Sequence, residues 1–364
     1  VLKLEKIFQG GIYHMFKQKK TIRKIQSFLF PLLLLSVTAC GQQSATPASN
    51  EQTPPASNQP APAAETKQFK IGISQFVEHP ALDAAREGFV AQLAKNGYED
   101  GKQVKIDVKS AQASMDTAIS IAQKFESDKV DLVLAIATPT AQAAAQTSKD
   151  IPILFTAVTD PVEAGLVKAM DKPGANVTGT SDMNPVEEQL KLIKELKPDA
   201  KSVGVIYSSG EVNSKVQVDA AKAVADKLGL SIQEAAITSA TEVKQAAESM
   251  VGKVDAFYVP TDNMVVSSIA AVLSVAEAQK IPVIAGEENS VKSGAIATYG
   301  IDYTKLGEQT ADMAAKILKG EAKPADMAVE MQADMKLVLN KKAAEKMGVT
   351  IPQSMLDRAG EVIE

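Results

Sequence analysis

From Phe69 onward, short apolar runs alternate with longer Ala-rich segments, and the alternation passes through two similar copies. The first copy places candidate strands at 70–75, 103–109, 131–137, 152–157 and 176–180, and the second at 202–207, 231–236, 254–259, 281–285 and 294–299. Segments such as 81–96, 115–127 and 140–148 repeat small apolar residues at helical spacing. Strand–helix–strand alternation dictates an α/β fold, with parallel sheets covered by helices on both faces. Lys70-Ile71-Gly72-Ile73 returns as Ser202-Val203-Gly204-Val205, and Lys129-Val130-Asp131 as Lys253-Val254-Asp255. Thr138-Pro139-Thr140 has its counterpart in Pro260-Thr261-Asp262, and Ile151-Pro152-Ile153-Leu154 in Ile281-Pro282-Val283-Ile284. Four matches in one order predict two lobes of one architecture. A chain of 364 residues is comfortable for two domains. Aromatics are 4% and Trp is absent, so the cores must rest on Ala, Val, Ile and Leu.

The first 66 residues follow other rules. Lys17, Lys19, Lys20, Arg23 and Lys24 precede a ten-residue run, Phe28 to Val37, that is apolar apart from Pro31 and Ser36. Crossing a bilayer takes about 20 apolar residues. A basic patch, a short apolar core and then small residues is the layout of a secretory signal, assigned here to 1–39. Residues 1–14 sit oddly ahead of such a signal, and Met15 offers an alternative start. Gly41 to Thr66 holds no Val, Ile, Leu or aromatic residue, so 40–66 reads as a flexible tether.

Charge and side-chain inventory exclude several classes. Residues 1–39 carry a net +6, which leaves −11 on the remainder. An acidic body argues against nucleic acid. Cys40 is the single cysteine, so neither an internal disulfide nor a thiolate metal site is expected. The body has one histidine, His79, and no metal or cofactor is expected. No phosphate-loop or nucleophile-elbow motif occurs. With one histidine for acid–base work, an enzyme is not expected.

In open parallel sheets ligands bind beyond the carboxyl ends of the strands. The loops there carry the candidate ligand-binding residues: Gln75, Phe76, Glu78, Thr138, Thr140, Thr159, Asp160, Tyr207, Ser208, Ser209, Asn213, Thr261, Asp262, Asn263, Glu288, Tyr299 and Asp302. Thr138, Ser209 and Thr261 stand where helices begin, and a helix N-terminus seats a carboxylate. Asp160, Asp262, Glu287 and Glu288 offer counter-charges for an ammonium group. Phe76, Tyr207, Tyr299 and Tyr303 offer flat walls. Taken together these suggest an amino acid. Read singly, each residue serves as well as a helix cap, a turn residue or a half-buried packing residue.

Val37-Thr38-Ala39-Cys40-Gly41 resembles the lipobox of bacterial lipoproteins, which implies cleavage before Cys40 and lipid (palmitate) on it. The body from Phe69 to Glu364 resembles the bacterial ABC-transporter substrate-binding family that includes tryptophan- and tyrosine-binding lipoproteins. The residues that carry this are Gly72-Ile73-Ser74-Gln75-Phe76-Val77-Glu78-His79-Pro80-Ala81-Leu82-Asp83, Thr159-Asp160-Pro161-Val162 and Asn176-Val177-Thr178-Gly179. Leu337-Val338-Leu339-Asn340 and Gly348-Val349-Thr350-Ile351-Pro352 add to them.

The resemblance implies a type I periplasmic-binding-protein fold: two Rossmann-like lobes joined by three crossings, near 180–184, 298–303 and 326–332. Residues 67–180 plus 303–327 would form the first lobe, and 181–302 plus 328–364 the second. It further implies a monomeric, extracytoplasmic, membrane-anchored solute-binding component. That component would pass an amino acid, most closely an aromatic one (Trp, Phe or Tyr), to an ABC permease and its ATPase. The alternative is the same fold binding a nucleoside or a sugar.

Overall fold

Leu132–Ile136 is buried at every position. A strand takes that pattern when helices cover both faces of its sheet. The computed structural model describes residues 68–364 apart from Asp334, and it contains two sheets of this kind. The expectations for the leader, the tether and Cys40 lie outside the described residues.

The first lobe opens with β1 (Phe69–Gln75), α1 (Pro80–Lys95), β2 (Val104–Ser110), α2 (Met115–Ser127), β3 (Leu132–Ile136), α3 (Thr138–Thr147), β4 (Ile153–Thr156) and β5 (Val177–Ser181). The second lobe holds α4 (Val186–Leu196), β6 (Ser202–Ser208), α5 (Val212–Ala225), β7 (Ser231–Ile237), α6 (Val243–Ser249) and β8 (Ala256–Val259). It continues through α7 (Asn263–Ser267), α8 (Ile269–Gln279), β9 (Val283–Ala285), α9 (Glu288–Ser293) and β10 (Ala297–Gly300). The chain returns to the first lobe for α10 (Tyr303–Leu318) and β11 (Glu330–Met331). It finishes in the second with β12 (Lys336–Asn340), α11 (Lys341–Lys346), α12 (Gln353–Arg358) and β13 (Glu361–Ile363). Strand order is β11-β5-β4-β3-β1-β2 in one sheet and β13-β12-β10-β9-β8-β6-β7 in the other. Each sheet carries its own apolar core, one containing Ile71, Phe89 and Leu134 and the other Val203, Phe257 and Ile284.

All ten expected strands form, within a few residues of their expected ends. Two features differ from expectation. First, β12 lies antiparallel to β10, with Ala297 opposite Leu339, so the second sheet is mixed. The chain enters β12 from the other lobe, and therefore runs opposite to strands that end at the cleft. Second, β11 pairs with β5 in the first sheet, Glu330 opposite Thr180. The first lobe thus keeps the chain to Met331, beyond the expected boundary at 327.

Local chemistry sets the helices. In α2 the Ser114 side chain accepts from Thr117 N, and Ala118, Ile121, Ala122 and Phe125 form one buried stripe. The return of α10 to the first lobe needs two glycines. A Cβ on Gly307 would stand 1.9 Å from Ala85 O, and one on Gly88 would stand 2.2 Å from Thr304 O. Backbone-to-backbone packing at that distance admits no side chain.

The crossings fall at 182–185, 301–302 and 332–335. The last two are tied together. The Gln332 side chain accepts from Asp302 N at 3.0 Å and donates back to Asp302 O.

Candidate functional site

The two sheets present the carboxyl ends of their strands to one another across a nearly closed cavity with about 10 Å³ of free space. Ligand sites commonly run from roughly 300 Å³ upward, so the lobes must part to admit a guest. First-lobe residues His79, Leu82, Ala157, Thr159 and Tyr303 line it, with Asp182 at the first crossing. From the second lobe come Asn213, Thr261, Asp262, Asn263, Val266 and Glu287. A larger groove, lined by Ala270, Leu273, Ser274, Glu277 and Lys346 among others, belongs to the second lobe alone. It is open on one side and holds none of this chemistry.

On the first-lobe side the strand ends are strained. Ala137, just before α3, has φ 80° and ψ 155°, and Ala157, just after β4, has φ 58°. Non-glycine residues hold such angles only where surrounding contacts impose them, at about 1–3 kcal/mol each. Ala137 N donates to Thr156 O at 3.0 Å, which fixes the first bend. Asp182 accepts from Tyr303 OH at 2.6 Å and from Thr159 Oγ1 at 3.1 Å. Burial pushes its carboxyl up, against those two donors. Burial and the neighbouring Asp182 charge raise the Tyr303 phenol well above its ordinary value, so it stays protonated and donating. His79 stands at the N-terminal end of α1. Burial lowers its imidazole to about 4, while a hydrogen bond with Asn263 and the Asp83 charge act in the opposite direction. It is neutral at pH 7, and its Nδ1 is buried without a partner.

On the second-lobe side carboxylates dominate. Asp262 caps α7 through Val265 N at 2.8 Å and accepts from Ser208 N at 2.5 Å. Glu287 caps α9 through Ser290 N and Asn289 N. Burial pushes both carboxyls up. Among the described residues, neither Asp182, Glu211, Asp262 nor Glu287 pairs with Lys or Arg. A buried cluster of acids without a cation is a place for a positive group. Asn213 Oδ1 is likewise buried with no partner.

Five of the seventeen sequence candidates line the cavity: Thr159, Asn213, Thr261, Asp262 and Asn263. The others do not, and their contacts say why. Gln75 is buried but bonds Val77 O, Asp83 and Arg86. Phe76 belongs to the first core, and Glu78 is exposed. Thr140 Oγ1 donates to Ile136 O and Ala137 O. Thr138 opens α3 with its Oγ1 buried and unpartnered, outside the cavity wall. Asp160 accepts from Val162 N and Glu163 N. Tyr207 packs on the second core beside Glu234, Ser209 is exposed, and Ser208 N serves Asp262. Glu288 pairs with Lys336 and Lys292. The Tyr299 hydroxyl accepts from Arg358, and Asp302 caps α10.

Conversely, Asp182, His79, Tyr303 and Glu287 line the cavity without standing among the seventeen. Two glutamines shape the second-lobe wall from behind. Gln217 brackets Thr261, accepting from its N at 3.1 Å and donating to its Oγ1 at 2.8 Å. Gln189 donates to Tyr299 O at 2.7 Å and accepts from Tyr258 OH at 2.8 Å. Neither has a local sequence signal, since both act on loops far along the chain.

Two α/β lobes, three crossings and a polar cavity between strand ends define a type I periplasmic binding protein. The chain belongs to the ABC transporter substrate binding protein family, whose model matches residues 70–363. It is 48% identical over 326 residues to a tyrosine-binding protein of Clostridioides difficile, covering 90% of this chain and 91% of that one. It also resembles the crystal structure of an ABC domain in complex with L-Trp from Streptococcus pneumonia. There the TM-score is 0.79 at 43% identity, covering 82% of this chain and all of that one. The ligand-free, open structure of a substrate binding protein with adhesive properties from Clostridium difficile is 52% identical, yet its TM-score is 0.62. That match covers 81% of this chain and 99% of the other. Of these two, the overall fold matches the L-Trp complex more closely than the ligand-free structure, although identity runs the other way.

Proposed function

We propose that this substrate-binding protein captures an aromatic amino acid between its lobes and hands it to an ABC permease and its ATPase. It works outside the cytoplasmic membrane, held there by lipid on Cys40 after cleavage of the leader.

The observation that carries the ligand reading is the cavity wall. Buried acids without cationic partners and the unpartnered acceptors His79 Nδ1 and Asn213 Oδ1 suit an ammonium group. Relatives named for tyrosine and crystallised with L-Trp support the aromatic choice over a nucleoside or sugar. In this reading the ammonium lies near Asp182, Asn213 and Asp262, with Thr159, Thr261, Asn263 and Tyr303 completing the wall.

A thermal-shift screen of the free amino acids tests the ligand class. Tyr, Trp or Phe at a hundredfold excess over Kd should stabilise the protein by about 2.7 kcal/mol. No stabilisation by any amino acid rejects the reading. The anchor is tested separately: Cys40→Ala should move the protein from the membrane fraction to the medium or the soluble fraction.

A further inference from the structure

Glu211 does not line the cavity, yet it grips two residues that do. It stands at the start of α5 and makes no capping bond to the backbone of that helix. Its side chain crosses instead to the next loop. Glu211 Oε2 accepts from Asn213 Nδ2 at 3.1 Å, from Asn263 N at 3.3 Å and from Asn263 Nδ2. Oε1 accepts from Met264 N at 3.3 Å. The residue is 3% exposed, so these bonds do not compete with bulk water.

A side-chain amide has a donor end and an acceptor end. With both nitrogens turned onto Glu211, both oxygens must face elsewhere. Asn263 then meets the His79 imidazole, which arrives from the opposite lobe. Asn213 Nδ2 is held a second time by Thr261 O at 3.2 Å, and its Oδ1 is left buried and unpartnered beside the cavity. An orphaned buried acceptor is costly, and native structures keep few of them without a purpose. Turning the amide over would set Oδ1 against the Glu211 carboxyl oxygen and Thr261 O, acceptor against acceptor.

We infer that Glu211 is a positioning residue for capture: by holding the amide nitrogens of Asn213 and Asn263, it aims the Asn213 oxygen at the ammonium group of the ligand. This rests on the interlobe cavity being the amino-acid site. A carboxylate that served only to finish the N-terminus of α7 would hold the fold together but would not discriminate between ligands with and without an amine.

That difference supplies the test. Calorimetric titration compares L-tyrosine or L-tryptophan, whichever binds, with the matching aryl-propionate, which keeps the carboxylate and ring but lacks the amine. Glu211→Ala should weaken the amino acid about ten- to hundredfold, the worth of one hydrogen bond to a charged group. The aryl-propionate should change little. Glu211→Gln keeps one oxygen for the two amide nitrogens and should recover most of the loss. Asn213→Ala removes the aimed oxygen itself, leaves Glu211 its other donors, and should reproduce the selective loss even where Glu211→Ala does not fold. Equal weakening of both ligands, or no weakening, in a folded variant overturns the inference. Failure of the unsubstituted protein to bind any aromatic amino acid overturns the proposed function first, and this inference with it.

Discussion

The rims of the two lobes are set by different means. In the second lobe, Asp262 and Glu287 each cap a helix, Glu211 bridges two loops, and Gln217 brackets Thr261. That rim ties its helix starts down with its own side chains, while Asn213 and Ser290 each keep one buried polar atom without a partner. In the first lobe the strand ends bend through strained alanines, and Ser74, His79 and Thr138 each keep a buried polar atom without a partner. The contrast lies in the backbone: capped helix starts set the acidic wall of the second lobe, and strained bends set the first. Both leave an acceptor at the cavity, Asn213 Oδ1 on one side and His79 Nδ1 on the other.

The sharpest way to break this comparison is to remove a capping side chain from the second lobe. Asp262→Ala strips the cap of α7 and leaves Ser208 N and Val265 N buried without an acceptor. Unliganded stability should fall by about 4 kcal/mol, read from the urea midpoint. A loss under about 1 kcal/mol would mean that the cap does not set the wall.

Acid should act on the first lobe through His79. Its folded pKa, about 4, lies below the ordinary 6.5, so the unfolded chain takes up the proton first as pH falls. The stability it confers is present above pH 6.5 and is lost between 6.5 and about 4, by up to roughly 3 kcal/mol. The raised carboxyls of Asp182, Glu211, Asp262 and Glu287 pull the other way, because the folded state binds their protons more tightly. Subtracting the pH–stability curve of His79→Gln isolates the histidine. A difference curve that stays flat from pH 7 to 4 would show that the ring is not held neutral by burial.

The smallest effect is expected at Thr138. Thr138→Val removes a hydroxyl that bonds nothing, so unliganded stability should move by less than about 1 kcal/mol, in either direction. Affinity for the amino acid should change little, because Thr138 stands outside the cavity wall. A several-fold loss of affinity would bring the bend before α3 into the site.

Much of the fold was legible because buried parallel strands leave an unmistakable local trace. Ile71, Leu134, Val205 and Ile284 sit in apolar runs too short for helices and bounded by turn residues. The reversal at β12 was not legible. Leu337-Val338-Leu339 reads as a strand, but its direction depends on which lobe the chain has just left. At the site, Thr159, Asn213, Thr261, Asp262 and Asn263 could be found because they follow strand ends directly. Tyr207 lies within β6 opposite Ala236, and Ser209 just past its end bonds Ile237 O, so both stand beside the edge strand β7 and outside the cavity wall. Tyr303 could be read as an aromatic wall, but Asp182 belongs to a crossing and Glu211 acts on a loop about fifty residues away, so no local pattern marks the work of those two.

The mutual clasp between Asp302 and Gln332 has a mechanical corollary. Two of the three connectors are buttoned to each other by a side chain that imitates a rung of β-ladder. Twisting one connector alone would break both of those hydrogen bonds. The linkage between the lobes then resembles a door hung on a bar rather than on three separate strings, which favours one swing over many wobbles.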